Sequence, residues 1–232
     1  MTKEIDIITL FPEMFSGVFG DSIIKRAVDN KILEIRLTQL RDFAFDKHKQ
    51  VDDSPFGGGS GMVLKPEPMF RAVRSVLKNS SATSRRIIIT DPAGETFNQK
   101  KAKELSNVDW LIFICGHYEG FDARIYTLAD ELISIGDYVL TGGEIPTMAI
   151  VDAVARMLPN VLGAADSAET DSFFENMLSY PQYTRPRNFE GMEVPEVLLG
   201  GNHAEISTWR KMKAFETTMR RRPDLIFEKE DF

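Results

Sequence analysis

Short apolar runs recur along the chain at residues 5–10, 33–37, 86–90, 110–115 and 132–135. They are rich in isoleucine, leucine and valine and show little alternation of apolar with polar positions. Such runs predict strands buried on both faces of a parallel sheet. The segments between them follow the helical period. Residues 21–30 do so. Residues 66–77 open with prolines and carry Met69, Val73, Val76 and Leu77 on one side. Residues 98–105 read as a polar helix capped by Asn98, and 122–129 also fit a helix. A helix over 147–158, with Met148, Val151, Val154, Ala155 and Leu158 as its buried stripe, closes the pattern. Strands alternating with helices predict an α/β domain.

Beyond this helix the pattern changes. Pro159 and Gly163 punctuate the chain, and the small polar residues of 163–170 read as a linker. Pro181, Pro186, Pro195, Gly191, Gly200 and Gly201 then mark loops. A last amphipathic helix is predicted from about residue 205 to 222, with Ile206, Trp209, Met212, Phe215 and Met219 as its core face. No strand alternation is visible here, so the expectation is a small helical second domain. No internal repeat or low-complexity tract occurs.

Composition narrows the class. The 232 residues are 43% hydrophobic, enough for a sizeable core. The single cysteine, Cys115, excludes a disulfide framework and suits a reducing compartment. It ends an apolar run, which makes it a core thiol rather than a nucleophile. No apolar stretch approaches the length that spans a bilayer. Glu4 and Asp6 interrupt the N-terminus at once, unlike a signal peptide. A soluble cytoplasmic protein without a membrane partner is therefore expected. The net charge of −7 leans slightly against a nucleic-acid partner, although local patches can oppose the total. The sequence lacks the dinucleotide fingerprint, the P-loop and the nucleophile elbow. His48, His117 and His203 are too far apart in sequence to suggest a metal site.

Several stretches carry candidate chemistry. Residues 46–62 place four glycines in five positions (Gly57, Gly58, Gly59 and Gly61) after Lys47, His48, Lys49, Asp52 and Asp53. Such a loop admits a flat base or a phosphate; a mobile, solvated surface loop is the equal alternative. Residues 116–122 and 135–146 follow predicted strands directly, as does Asp91-Pro-Ala-Gly94. Ligands of open parallel sheets bind beyond the carboxyl ends of strands. Any one of these loops reads as a turn; three at one sheet edge point to a single pocket. Taken alone, Asp171 reads as a cap for a helix over 172–178, and Arg156 as an ion-pair partner of Asp152 four residues earlier.

In this order, the stretches resemble the bacterial tRNA (guanine-N1)-methyltransferase family of knotted methyltransferases. The likeness rests on Thr9-Leu-Phe-Pro-Glu-Met-Phe15, residues 51–62, Cys115-Gly-His-Tyr-Glu-Gly120, residues 134–144, Glu169-Thr-Asp-Ser-Phe173, Tyr183-Thr-Arg-Pro186 and Pro195-Glu-Val-Leu-Leu-Gly-Gly-Asn-His203, nearly the whole chain. It implies an α/β fold whose parallel-sheet domain (1–162) carries a deep C-terminal trefoil knot, a flexible linker (163–176), and a small all-helical tRNA-binding domain (177–232). Knots are otherwise almost absent from proteins. By the same likeness S-adenosyl-L-methionine is the methyl donor, bent and held largely by backbone groups. Its site would comprise Pro92, Gly116, Tyr118, Glu119, Ile135, Gly136, Asp137, Tyr138, Val139, Leu140, Gly142, Gly143 and Pro146. The chain would act as a homodimer with each active site between subunits.

The implied acceptor is N1 of the guanosine 3′-adjacent to a tRNA anticodon, preceded by another guanosine. Asp171 would remove the N1 proton and Arg156 would stabilise charge on O6. A close arginine also weakens an aspartate as a base, so the arginine must face O6 more than the carboxylate. Substrate contacts would come from Asp52, Gly58, Gly59, His48, Lys49, Arg185, Arg210 and Lys213. No metal ligand is assigned. Mg2+ is raised by the likeness, but the sequence shows no cage for it. His117 stands where many relatives carry arginine, and Phe45 and Phe56 where histidine and tyrosine are frequent. Other readings are a knotted methyltransferase with a different base target, an RNA-binding protein without catalysis, and a nucleotide-binding metabolic enzyme.

Overall fold

The computed structural model describes residues 2–163 and 171–227. The chain divides into two compact units, Met1–Gly163 and Ala164–Phe232. In the first unit the strands are β1 (Lys3–Thr9), β2 (Leu33–Gln39), β3 (Asp52–Asp53), β4 (Val63–Leu64), β5 (Arg85–Thr96), β6 (Trp110–Cys115) and β7 (Glu131–Ser134). The helices are α1 (Ser16–Phe19), α2 (Ser22–Asp29), α3 (Pro66–Val76), α4 (Gln99–Ser106) and α5 (Glu144–Arg156).

Five strands form one sheet in the order β2-β1-β6-β5-β7, and every neighbouring pair is parallel. All five expected strands are present. The central strand β6 is buried at every position, and its side chains alternate between two cores. Leu111, Phe113 and Cys115 pack with α2, α4 and α5; Trp110, Ile112 and Ile114 pack with α3. This two-sided burial explains why the strands read as continuous apolar runs. Cys115 is a core thiol, and burial raises its pKa.

Helix starts follow capping chemistry. The Asp21 carboxylate accepts from the Ser22 N–H, and the Asn98 carbonyl accepts from the Lys101 N–H. Residues 122–129 form a 3-10 turn, Ala123–Leu128, rather than an α-helix. Helix α5 begins three residues earlier than predicted, at Glu144.

The loop expected after residues 86–90 is a bulge inside a longer strand. Pairing of β5 with β7 breaks after Thr90 and resumes at Glu95, so residues 91–94 stand out of the ladder.

The second unit contains β8 (Asn188–Phe189), β9 (Met192–Glu193) and α6 (His203–Arg221). The small hairpin corrects the all-helical expectation. Residues 172–178 are turns, not a helix capped by Asp171. Phe173 and Asn176 have positive φ, which a right-handed helix excludes. The inner face of α6 also differs from the expected one. Ala214 and Thr218 are buried, whereas Met212, Phe215 and Met219 are exposed. The Thr218 hydroxyl accepts from the Leu178 N–H (2.9 Å) and donates to the Ala214 carbonyl (2.7 Å). A small polar side chain thus lets residues 177–179 approach the helix. The linker expectation at residues 164–170 lies outside the described residues.

Candidate active site: a cleft at one edge of the sheet

The loops beyond the carboxyl ends of β6 and β7 meet the bulge of β5. They enclose a cavity of about 280 Å³, near the lower end of small-molecule sites. Pro92, Gly116, Tyr118, Glu119, Ile135, Gly136, Tyr138, Val139, Leu140, Gly142, Gly143 and Pro146 all line it. Of the expected donor-site residues only Asp137 does not. One cavity gathers all three stretches, but the wall at Asp91 and Pro92 is a bulge within β5 and not the expected strand-end loop.

Backbone contacts hold the walls together. The Gly143 N–H donates to the Gly116 carbonyl (2.8 Å), His117 pairs with Gly142, and the Thr90 hydroxyl donates to the Gly143 carbonyl (3.2 Å). A β-carbon on Gly143 would lie 2.8 Å from the Gly116 nitrogen and 2.9 Å from the Cys115 Cα. Only glycine permits this approach, which brings main-chain polar groups to the cavity.

Several cleft residues lie outside the expected donor set. Asp91 and Tyr126 line the cavity, and the Tyr126 hydroxyl donates to the Asp91 carboxylate (2.7 Å). Burial, reinforced by this bond, pushes the Tyr126 pKa up to about 12. His117 also lines the cavity, between the rings of Phe11 and Tyr118, and its buried Nδ1 has no hydrogen-bond partner among the described residues. Behind the wall lies Glu144, 1% exposed, whose carboxylate accepts from the Thr9 hydroxyl (2.7 Å). It occupies the first turn of α5, where the helix dipole favours an anion.

Among the described residues no lysine or arginine lines this cavity. Glycines and apolar side chains form much of the lining, which suits a nucleoside-bearing ligand.

The glycine-rich segment is the tip of a hairpin. β3 and β4 pair antiparallel, with Asp52 opposite Leu64. Gly58 and Gly59 have positive φ and are exposed in the tip. Its far end is tied to the cleft: the Glu119 N–H donates to the Met62 carbonyl, and the Leu64 N–H to the Gly120 carbonyl. Asp52 is half-buried, and Phe56 is fully exposed. His48 and Lys49 lie on an exposed turn, with the His48 N–H on the Asp46 carboxylate and Lys49 Nζ 3.5 Å from Asp42. The guanidinium of Arg71 lies over the Phe45 ring.

Arg156 is the half-buried last residue of α5 in the first unit. Asp171 belongs to the second unit. There it lines a separate cavity of about 280 Å³ with His203, Arg210 and Lys211. Arg210 stacks over Tyr180, Lys213 pairs with Glu216 (2.7 Å), and Arg185 is exposed. Among the described residues no group of three or more His, Cys, Asp or Glu side chains could hold a metal ion. Among the described residues no helix is long and apolar enough to cross a membrane.

Comparison with known proteins agrees with the geometry. The family model described as tRNA (Guanine-1)-methyltransferase TrmD matches residues 3–228. A tRNA (guanine-N(1)-)-methyltransferase of Dictyoglomus turgidum is 56% identical over 222 residues, covering 96% of this chain and 89% of the relative. Proteins of the same name from Moorella thermoacetica and Listeria monocytogenes are 55% and 52% identical, each covering 96% of this chain and 89% and 91% of the relative. The chain therefore belongs to the tRNA (Guanine-1)-methyltransferase TrmD family.

Proposed function

We propose that this chain methylates N1 of the guanosine 3′-adjacent to a tRNA anticodon, with S-adenosyl-L-methionine as donor, in the cytoplasm. One observation carries the reading: a chain of this family gathers its glycine-bearing loops into a single cleft that no lysine or arginine among the described residues lines. The relatives' shared name supplies the tRNA and the N1 position.

The donor, when bound, supplies an electrophilic methyl group. The protein's own task is to orient the acceptor and move a proton. Neutral guanine carries a proton on N1, which must leave as the new bond forms. Asp171 accepts this proton, and Arg156 faces O6, where negative charge collects. Backbone groups around Gly116 and Gly143 hold the adenosine part, and the cleft excludes water from it. Asp52, Gly58, Gly59, His48, Lys49, Arg185, Arg210 and Lys213 contact the RNA. Arg210 on Tyr180 has the form of a platform for an unstacked base.

We further propose the trefoil knot in the first unit, and a second unit that acts as the tRNA-binding domain. The seam between Gly116 and Gly143, with α5 packed behind it, supports the threading. Two copies would share each site. Val139 is 89% exposed at the rim of the cavity. An apolar rim of this kind supports its being covered by a partner.

The test is methyl transfer from labelled donor to unmodified tRNA with guanosine or adenosine after the anticodon. Transfer is expected only to guanosine, with Asp171→Ala slowing it by about 10²–10⁴-fold while donor binding persists. Equal transfer to both tRNAs would sink the acceptor assignment. Repeating the assay with a chelator reports whether Mg2+ takes part.

A further inference from the structure

The donor cleft carries an uneven charge. Two carboxylates line it, Asp91 and Glu119, and no lysine or arginine among the described residues does. Asp91 is fixed in place. One oxygen accepts from the Ala93 N–H (2.8 Å), the other from the Tyr126 hydroxyl (2.7 Å), and the bulge of β5 presents it beside Pro92. Tyr126 comes from the short 3-10 turn Ala123–Leu128, so two separate elements hold one carboxylate at the cavity wall.

The chemistry on the two sides of the reaction differs in one respect that such a wall can sense. S-Adenosylmethionine carries a sulfonium and an ammonium against one carboxylate, a net positive ligand. After the methyl group leaves, the sulfur is a neutral thioether, and the product S-adenosylhomocysteine is net neutral. Shape, adenine and ribose are almost unchanged. Backbone and apolar contacts therefore hold donor and product about equally; a fixed carboxylate does not.

We propose that Asp91, held by Tyr126, is a specificity-determining residue that makes the cleft prefer the cationic donor over the neutral product. This rests on the donor reading above. It lets product leave without weakening the grip on adenosine, because the discriminating interaction vanishes with the charge that the reaction removes. Asp91 acts on the ligand directly, and Tyr126 is a positioning residue that orients the carboxylate. Glu119, exposed and leaning on the glycine-rich hairpin, adds a weaker contribution of the same sign.

The experiment is calorimetric titration of the full chain with S-adenosylmethionine and, separately, S-adenosylhomocysteine, for wild type, Asp91→Asn and Tyr126→Phe. Asparagine keeps the shape and an acceptor for the Ala93 N–H but removes the charge. The ratio of product Kd to donor Kd is expected to fall about three- to tenfold in Asp91→Asn, the size of one screened charge–charge interaction at a partly solvated site. A smaller fall is expected in Tyr126→Phe, where the charge remains but is less firmly placed. The preference should also shrink with added salt, and by less in Asp91→Asn than in wild type. An unchanged ratio in both variants, with both ligands still bound, would overturn this inference and leave the donor reading intact. Failure of wild type to bind either ligand would overturn both.

Discussion

A β-carbon on Gly61 would stand 2.3 Å from Cγ of Glu119. The glycine-rich hairpin and the donor cleft thus touch at a point where only a hydrogen fits, and Gly61 also has φ +84°. Gly61→Ala is expected to push Glu119 aside and weaken donor binding several-fold. The fold should survive, since strain of this kind costs about 1–3 kcal/mol. Calorimetric donor titration beside a thermal melt checks both statements; donor affinity equal to wild type would refute the coupling.

Thr9 and Glu144 are a buried pair joined by one hydrogen bond across 135 positions of sequence. Thr9→Val removes the hydroxyl, which also accepts from the Phe11 N–H. The carboxylate stays buried with one partner fewer. A loss of about 1–3 kcal/mol is expected, measured by denaturant unfolding. A loss below about 0.5 kcal/mol, the typical lower bound for one hydrogen bond, would show that the pair carries little stability.

The pair also shows which parts of the molecule a sequence displays. The five strands were legible because two-sided burial writes each as an unbroken apolar run, as at Trp110–Cys115. The cleft was legible in part, through the glycines of residues 116–120 and 136–143. Glu144 was not, because its partner is distant in the chain and a lone glutamate at a helix start reads as solvated. The bulge at 91–94 was hidden because it resembles an ordinary loop after a strand. In α6 the apolar periodicity pointed to Met212, Phe215 and Met219, yet the packed face belongs to Ala214 and Thr218. There, close approach of the backbone outweighed side-chain size. The roles given to Arg156 and Asp171 came from family likeness; their own stretches suggested an ion pair and a cap.

Thr218→Val tests that packing. The Leu178 N–H would lose its acceptor in a buried place, costing about 1–3 kcal/mol. Faster amide exchange at 177–179, with β1 and β6 unchanged, is expected by hydrogen-exchange measurement. Uniform change across both units would contradict their being separate compact bodies.

Arg156→Lys keeps the charge but loses the planar fork. If Arg156 stabilises O6, the maximal rate should fall about 10²–10³-fold, as when a single oxyanion donor is removed, with donor Kd unchanged. A rise in donor Kd with the rate preserved would move Arg156 from the acceptor to the donor side.

Lys3 is buried, and its ammonium reaches the carbonyls of Leu105 and Val108 at the end of α4. Burial lowers its pKa to about 8, opposed by Asp109. The folded chain then holds fewer protons on this group than the unfolded chain between about pH 8 and the ordinary lysine value near 10.5. This contribution therefore raises stability as pH climbs through that window and is constant below it. Denaturant midpoints for wild type and Lys3→Met should converge or cross in the wild type's favour from pH 8 to 10.5. Parallel curves would argue that the lysine keeps its ordinary pKa.

The seam joining Gly143 to Gly116 has a consequence for synthesis. The cleft takes its walls from residues 90–92, 116–121, 126, 133–136, 138–143 and 146, so a chain still lacking its last wall has an incomplete cleft. A donor bound there as proposed would favour only the finished domain. At a concentration about 100 times its Kd it adds roughly 2.7 kcal/mol to that state and nothing to incomplete ones. The metabolite that feeds the reaction would thereby act as a ligand-based proofreader of the protein's own maturation.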